Sequence, residues 1–501
     1  MAYTIGIDIG TYSSKGVLLD RDGIVKASAV REHELSTPRP GWAEHDAQRV
    51  WWEEFCQISR ELLRESGTKR GEVLGVGLSG IAPCVLPVDE QGNPLRPAIL
   101  YGIDTRATGE IERIEALFGG ERIRKIAGSD LSSQSAGPKI LWIREREPEV
   151  WKKTRWIMNS SSYLAFKLTG EVCLDNYTAS SYHPLFDVNR VAWSEEGSRG
   201  ICPLEMLPRP LWAGERVGTV TADACEASGL AIGTPVIAGT ADAAAEAVAA
   251  GVSEVGETMI MYGSSTFFIA LTDSLKPGGT FWPSPFLWPG SFAYAGGTAT
   301  AGSLTEWFRR EFLPHSEDRS GSYQTLAEQA ASVPPGSRGV MTLPYFSGER
   351  TPLNDPKARG VIAGLTLSHT RADIYRSMLE AVGYSIRHNL EEMEASGAEV
   401  TTLYAIGGGT RNSVWMRIVT DIIGKPQLLR DSPGAAYGDA LLAAVEAGVI
   451  SKEQIPDLLP EARRIDPREA AATVYDRAYR QYRSLYQETK GTVHALAEEA
   501  E

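Results

Sequence analysis

The sequence has few cysteines and lacks any long apolar run. Only five of its 501 residues are cysteine, and no two of them form a C-x-x-C pair. This pattern argues against a disulfide framework or a zinc site and favours a reducing, cytoplasmic environment. No stretch approaches the ~20 apolar residues that span a bilayer, and no charged-then-apolar segment precedes the first predicted strand. We therefore expect neither a membrane anchor nor a signal peptide.

The sequence also lacks an excess of basic residues. It has 50 lysines and arginines against 64 aspartates and glutamates, which gives a net charge of −14. This balance argues against a general binder of nucleic acid or of anionic membranes, although local groups could still bind an anionic nucleotide. The 43% hydrophobic and 23% charged residues are typical of globular proteins, and the length predicts two or more domains.

The stretch Tyr3–Leu19 is the most informative part of the chain. Ile5, Ile7 and Ile9 alternate with Gly6 and Asp8, which predicts a half-buried strand, and an apolar run follows a small polar turn. Such a turn can wrap a phosphate, because glycine lets the backbone approach while hydroxyls and an ammonium donate hydrogen bonds. Asp8 stands at the mouth of the turn, where a carboxylate could hold Mg²⁺.

A second hydroxyl-rich hairpin is predicted over 256–271, with Gly263-Ser264-Ser265-Thr266 at its turn. Neither hairpin has the P-loop or the dinucleotide-binding pattern. Two such hairpins, one in each half, predict two similar domains that clamp a polyphosphate. We expect these domains over residues 1–247 and 248–501, with a hinge near 239–251.

Asp242, in AGTADAAAEAVAAG, is the best candidate for a reacting group. It follows a predicted strand and begins a predicted helix, so its carboxylate would face the positive helix end and the cleft. There it could take the proton from a hydroxyl that attacks a phosphate. An ordinary helix N-cap is the alternative explanation of this residue.

Three glycines, Gly407–Gly409, follow another predicted strand. They could let adenine or ribose lie against the backbone, or they could serve only a sharp turn that needs positive φ. Two polar loops complete the candidates. Tyr101–Arg106 suits a polyhydroxy ligand or forms a surface ion pair, and for Gly348–Pro352 we expect a structural role.

Helical periodicity predicts further elements. We expect helices over 50–63, 139–146, 370–393 and 413–423, the third of them beginning with a capping box at Thr370 and Asp373. The tyrosines near the end of the chain share one helix face, which indicates packing.

Taken together, these motifs resemble the FGGY family of carbohydrate kinases, and most closely its xylulose kinase branch. The similar segments occur in the family's order and cover about residues 3–448: DIGTYSSKG, AGTADAAAEA, MYGSSTF, LPYFSGERTPLNDPKARGVIAGL and IGGGTRNSVW. The resemblance implies an α/β protein with two actin-like ATPase (ribonuclease H-like) domains that flank a nucleotide cleft. It also implies ATP and Mg²⁺ as cofactors, a small sugar or polyol as substrate and, we expect, a homodimer.

The resemblance also implies a role for individual residues. The first phosphate motif with its metal carboxylate corresponds to Asp8, Gly10, Thr11, Ser13 and Lys15. The second phosphate motif, the nucleotide pocket and the adenosine motif correspond to Gly263, Ser264, Gly302, Glu306, Gly408, Gly409 and Asn412. The catalytic base and the sugar contacts correspond to Asp242, Ala82, Asp104 and Arg106.

Three departures from the xylulose kinase pattern concern the sugar. Ala82-Pro83 stands where those kinases carry Met-His, Ala243 replaces a polar residue after the catalytic aspartate, and the Tyr101–Arg106 loop is one residue longer. We therefore expect ATP-dependent phosphorylation of a pentulose-like sugar or polyol, with D-xylulose a poor substrate. The alternative function is that of a regulatory nucleotide switch of the same superfamily without a sugar acceptor, which would not need Asp242.

Overall fold

A computed structural model describes residues 2–276, 280–313 and 319–500. The first lobe contains strands β1 Tyr3–Ile9, β2 Ser13–Asp20, β3 Val25–Glu32, β4 Glu44–His45, β5 Val73–Gly80, β6 Leu86–Val88, β7 Ala98–Ile99, β8 Trp156–Met158, β9 Cys173–Asp175, β10 Phe186–Asp187, β11 Ala192–Trp193, β12 Arg209–Leu211, β13 Arg216–Thr219, β14 Pro235–Ile237 and β15 Thr240–Ala241. Its helices are α1 Glu54–Ser66, α2 Thr108–Phe118, α3 Gly120–Ala127, α4 Ala136–Arg146, α5 Pro148–Lys153, α6 Ser160–Thr169, α7 Asn176–Ala179, α8 Glu195–Ser198, α9 Ala222–Ser228 and α10 Asp242–Ala250.

The second lobe contains strands β16 Glu257–Tyr262, β17 Thr266–Thr272, β18 Trp282–Pro285, β19 Phe292–Gly297, β20 Met341–Leu343, β21 Val361–Ala363, β22 Thr402–Ile406, β23 Gln427–Leu429 and β24 Arg463–Ile465. Its helices are α11 Gly302–Phe312, α12 Arg319–Ser332, α13 Arg371–Ala395, α14 Ser413–Ile423, α15 Ala435–Glu446, α16 Ile455–Leu458 and α17 Glu469–Ala500. Among the described helices, none is both long and apolar enough to cross a membrane.

The two large sheets repeat one arrangement. The first has the order β3-β2-β1-β5-β14-β13, with β15 beside β5, and the second has the order β18-β19-β17-β16-β22-β23-β24. In each sheet an antiparallel hairpin, β1–β2 or β16–β17, lies beside a parallel strand, β5 or β22. Both predicted hairpins are therefore present, and each occupies the same place in its own lobe.

Helices α10 and α15 lie between the two sheets. Although it belongs to the second half of the chain, α15 packs across β1 and β5. The approach is so close that a Cβ on Gly6 or Gly77 would lie 1.9 Å from the carbonyl oxygen of Ala436 or Asp439. Helix α10 packs on α15 and shares a buried apolar cluster with strands of both lobes. The domain boundary predicted at 247 falls inside α10, and the hinge there stays a prediction.

The predicted helices are present, with small differences at their ends. The first begins as a π-helical turn over Ala47–Glu53 and continues as α1, while the others correspond to α4, α13 and α14. The capping box at the start of α13 forms as predicted. The tyrosines of α17 are buried in the second lobe's core, which confirms that they serve packing.

Candidate active site

Two cavities collect most of the predicted residues. The second-lobe cavity, of about 1120 Å³, lies among β16, α11, α12 and α14. The interlobe cavity, of about 350 Å³, has Asp8, Tyr101 and Asp242 of the first lobe on one side and Phe267 and Trp282 of the second lobe on the other. These dimensions suit a larger and a smaller organic ligand, respectively.

The second-lobe cavity is lined by every nucleotide residue predicted in that lobe: Gly263, Ser264, Gly302, Glu306, Gly408, Gly409 and Asn412. The turn of the second hairpin is held by the first residues of α11, because Gly302 N donates to Gly263 O at 3.0 Å and Ser303 N to Ser264 O at 2.9 Å. A Cβ on Gly302 would lie 2.6 Å from Gly263 O, so this approach requires glycine.

The three glycines after β22 form the sharp turn that was one interpretation of the sequence, and contact with adenine or ribose stays a prediction. Gly407 has a φ of 92°, as a sharp turn requires, while Gly408 and Gly409 line the cavity. Asn412 also caps α14, since its Oδ1 accepts from Trp415 N at 3.0 Å. The side chain of Glu306, which also lines the cavity, accepts hydrogen bonds from Arg309 and Tyr323 and is held in place by them.

Asp8, Asp242 and Glu246 bring three carboxylates to the interlobe cavity. Asp242 is the first residue of α10, and its Oδ1 accepts from Ala243 N at 2.7 Å, so its side chain is not an N-cap of the usual kind. Burial raises the pKa of Asp242 and of Glu246. Burial, with a further contribution from the charge of Asp242, raises the pKa of Asp8 to about 8. Acids this close repel one another when ionised, so the site favours a cation or protons.

A hydroxyl and a fourth acid lie behind Asp8. Ser79 Oγ is 3.2 Å from Asp8 Oδ1 and 2.6 Å from Asp439 Oδ2. Asp439 belongs to α15 and is fully buried, and burial raises the pKa of its carboxyl well above the usual range. Ser79 therefore links Asp8, near the end of β1, with α15, which belongs to the second half of the chain.

The turn of the first hairpin lies beside the interlobe cavity. Gly10 N donates to Ser13 O at 3.0 Å, and Lys15 pairs across the hairpin with Asp8. Thr11 Oγ1 lies 3.1 Å from the hydroxyl of Tyr101, which lines the cavity. The described walls of the two cavities do not include Gly10, Thr11, Ser13 or Lys15. These residues therefore lie beside the interlobe cavity and do not enclose it.

Asp104 and Arg106 do not lie where direct contact with a ligand was expected. They form a buried ion pair with an Nη2–Oδ2 distance of 2.7 Å, and Arg106 also binds Glu44 and stacks on Trp42. Neither residue lines the interlobe cavity, whereas Ala82 and Tyr101 do. The expectation of direct contact is corrected, as is the alternative of a surface pair: the pair fixes the loop that presents Tyr101.

Several lining residues were not singled out from the sequence. Arg350 comes from the loop assigned a structural role, yet it faces the interlobe cavity, and its Nε has no hydrogen-bond partner within the described residues. Gln134, Ser181 and His183 line the same space, and Ser135 Oγ lies 3.2 Å from His183 Nδ1. These groups lie in irregular segments without a repeating pattern, so no periodic signal marks them.

Comparison with known proteins decides between the two functions left open. The models of the FGGY family of carbohydrate kinases match residues 3–249 with the N-terminal domain and 258–447 with the C-terminal domain. The chain belongs to the FGGY family of carbohydrate kinases. Xylulose kinases of Bacillus subtilis (strain 168) and Escherichia coli (strain K12) are each 29% identical, over 99% and 95% of this chain and 99% and 98% of theirs.

Solved structures agree with this assignment. The xylulose kinase from Rhodospirillum rubrum superposes with a TM-score of 0.92 at 31% identity, over 98% of this chain and 100% of that one. The glycerol kinase from Plasmodium falciparum shares the fold, with a TM-score of 0.86 at 22% identity over 96% and 98% of the two chains. The predicted pair of actin-like domains is confirmed. This FGGY kinase is an ATP-dependent carbohydrate kinase, and the regulatory switch is not favoured.

Proposed function

We propose that Asp242 is the general base of this kinase and that its substrate is a small ketose or polyol of about five carbons. The observation that carries the proposal is the position of Asp242, at the start of α10 and inside a 350 Å³ cavity that both lobes line. Burial raises the proton affinity of its carboxyl. A more basic carboxylate accepts a hydroxyl proton more readily as the oxygen attacks phosphorus.

We further propose that Asp8, at the mouth of the first hairpin, helps to hold Mg²⁺. Carboxylate oxygens are the donors that this ion prefers, and it is usually held by one or two carboxylates, several waters and the phosphates of the nucleotide. The residues fit, because burial and the proximity of Asp242 make the Asp8 carboxyl hard to ionise on its own, and a bound cation would stabilise both carboxylates in place of protons. Bound there, Mg²⁺ would supply charge stabilisation for the transferred phosphate.

Two observations, the names of the relatives and the lining of the cavity, bear on the identity of the sugar. The curated relatives named above are xylulose kinases, which supports a five-carbon ketose. Ala82, Pro83 and Ala243 line the cavity and offer no polar side chain, which argues against D-xylulose as the best substrate. Gln134, Ser181, His183 and Arg350 remain as hydrogen-bonding groups. We propose that a related ketose or polyol is preferred.

A screen of ADP release tests the function. Pentuloses, hexuloses, tetritols, pentitols and glycerol are each supplied with MgATP, and we expect one or a few of them to raise ADP release far above the sugar-free rate. Turnover that is the same with every compound would overturn the proposal.

We also propose a cytoplasmic homodimer. All five cysteines are free, as a reducing compartment requires, and four are buried. Leu365 and Leu367 are exposed beside β21, and contact with a second copy would remove their apolar surface from water. Light scattering at micromolar concentration measures the mass, and a 54.4 kDa particle would contradict the dimer.

A further inference from the structure

Two histidines lie directly behind the turn of the first hairpin and hold its backbone. His33 Nε2 lies 3.2 Å from Gly10 O, and His45 Nε2 lies 3.1 Å from Thr11 O. The two rings pack edge to face, with their centroids 5.0 Å apart. Each histidine therefore binds one of two consecutive carbonyl groups in the turn that is proposed to bind phosphate.

The partners of His45 define its tautomer. Trp51 Nε1 lies 3.2 Å from His45 Nδ1, and an indole nitrogen can only donate. His45 Nδ1 must therefore accept, which places the ring proton on Nε2, where it is donated to Thr11 O. Burial, with the neighbouring charge of His33, lowers the pKa of His45 to about 4, in agreement with a neutral ring.

His33 lies between the turn and the carboxyl group of Glu54. Its Nε2 faces the carbonyl of Gly10, and its Nδ1 lies 3.0 Å from Glu54 Oε2. Because a carbonyl oxygen can only accept, His33 Nε2 carries a hydrogen and donates it to Gly10 O. Glu54 Oε2 also accepts from Ser14 Oγ at 2.6 Å. The Glu54 carboxyl group thus holds His33 against one side of the turn.

We propose that His33 and His45 are positioning residues for the phosphates of ATP. Their hydrogen bonds direct the partly negative carbonyl oxygens of Gly10 and Thr11 away from the anion. The hydroxyls and free amides of the turn then face the anion. This inference rests on the proposed role of the Gly10–Ser13 turn in phosphate binding.

Kinetics of matched variants test the proposal. H45A and H33A each remove one hydrogen bond to the turn, and we expect the KM for ATP to rise about tenfold, with a smaller change in the KM for the sugar. H45Q can still donate to Thr11 O and should restore most of the loss. H33Q can still donate to Gly10 O and should restore part of the loss seen in H33A. H388Q, at a buried histidine of α13, is the control and should leave both constants unchanged.

A separate measurement does not depend on the alanine variants. Nitrogen-15 shifts of labelled histidine at pH 7 should show two rings that carry a hydrogen on Nε2, one whose signal is missing in H33Q and one, with Nδ1 unprotonated, whose signal is missing in H45Q. A His33 or a His45 without a hydrogen on Nε2 would overturn the assignment, and it would do so even if the alanine variants failed to fold.

Different results of these experiments would overturn this inference and the proposed function on which it rests. A wild-type protein without sugar-dependent ADP release would overturn the proposed function. If S13A leaves the KM for ATP unchanged, the turn does not bind phosphate, and the inference fails with it. If S13A raises this KM while H33A and H45A do not, only the role of the histidines is wrong.

Discussion

The two hairpins occupy equivalent places in their sheets but differ in chemistry. The first carries Asp8 and Lys15 on facing strands and is supported from behind by two histidines. The turn of the second has no charged residue, and its support comes from the backbone of α11 and from the hydrogen bond between Thr266 and Thr298. The same fold thus places a hairpin with charged residues in one lobe and a hairpin with a neutral turn in the other. We expect substitution of the carboxylates in the first lobe to affect turnover, and substitutions at the turn of the second hairpin to affect nucleotide affinity alone.

The largest effect is expected at Asp242. D242N removes the proposed base while it keeps the shape, so kcat for sugar-dependent ADP release should fall about 10²–10⁴-fold with little change in nucleotide binding. E246Q, which alters a buried acid one turn further along α10, is the control and should cost much less. A D242N enzyme within a few-fold of the wild-type rate would show that Asp242 is not the base.

Asp8 should have the next largest effect. In D8A the ion loses a carboxylate that fixes it, so the Mg²⁺ concentration for half-maximal activity should rise about 10–100-fold and turnover should fall. Titration of activity with Mg²⁺ at saturating ATP measures this shift. An unchanged activation curve would assign Asp8 a structural role only.

The parts of the site that could be predicted from the sequence are those with a local cause. Alternating Ile5, Ile7 and Ile9 predict β1, and the small residues that follow predict its turn, because strand period and turn chemistry are properties of neighbouring residues. The start of α10 at Asp242 follows from the same kind of local signal. The sheets place these separate signals close together in space, which the resemblance implied and spacing alone does not show.

The parts that could not be predicted depend on contacts between distant segments. Asp104 and Arg106 form a suitable pair for a sugar by residue type, but Glu44 and Trp42, about 60 residues earlier, bury the pair. Arg350 faces the cavity only because its loop packs against the strand end at Thr298. Neither contact leaves a periodic pattern in the chain.

The comparison of the two lobes also concerns substrate preference, which depends on the first-lobe wall of the interlobe cavity. Ala82, Pro83 and Ala243 offer no side-chain hydrogen bond, so a sugar hydroxyl that faces this wall loses water without gaining a polar partner. We expect the kcat/KM of D-xylulose to lie about tenfold or more below that of the best compound in the panel. If D-xylulose gives the highest kcat/KM, our interpretation of these residues is wrong.

In the second lobe, Gly302 should show an effect on affinity alone. G302A places a Cβ 2.6 Å from Gly263 O, which displaces the turn, so the KM for ATP should rise several-fold while the KM for the sugar stays unchanged. G109A in α2 is the control, since a Cβ there meets no atom within 4 Å. A fall in kcat with unchanged KM for ATP would contradict the division of roles between the hairpins.

The smallest effect concerns the distance between the hairpins. If the first hairpin carries the charged groups and the second binds the nucleotide, both hairpins must contact the same phosphates during the reaction, with water excluded. The lobes meet at α10 and α15, and Gly251, with a φ of 107°, ends α10 where a hinge was predicted. Small-angle scattering should give a radius of gyration of about 23 Å for a single chain, and of about 30 Å for the proposed dimer. We expect it to fall by about 1 Å with sugar and a non-hydrolysable ATP analogue together, and by less with either alone. An unchanged radius in the ternary complex would mean that the hairpins are already at their working distance.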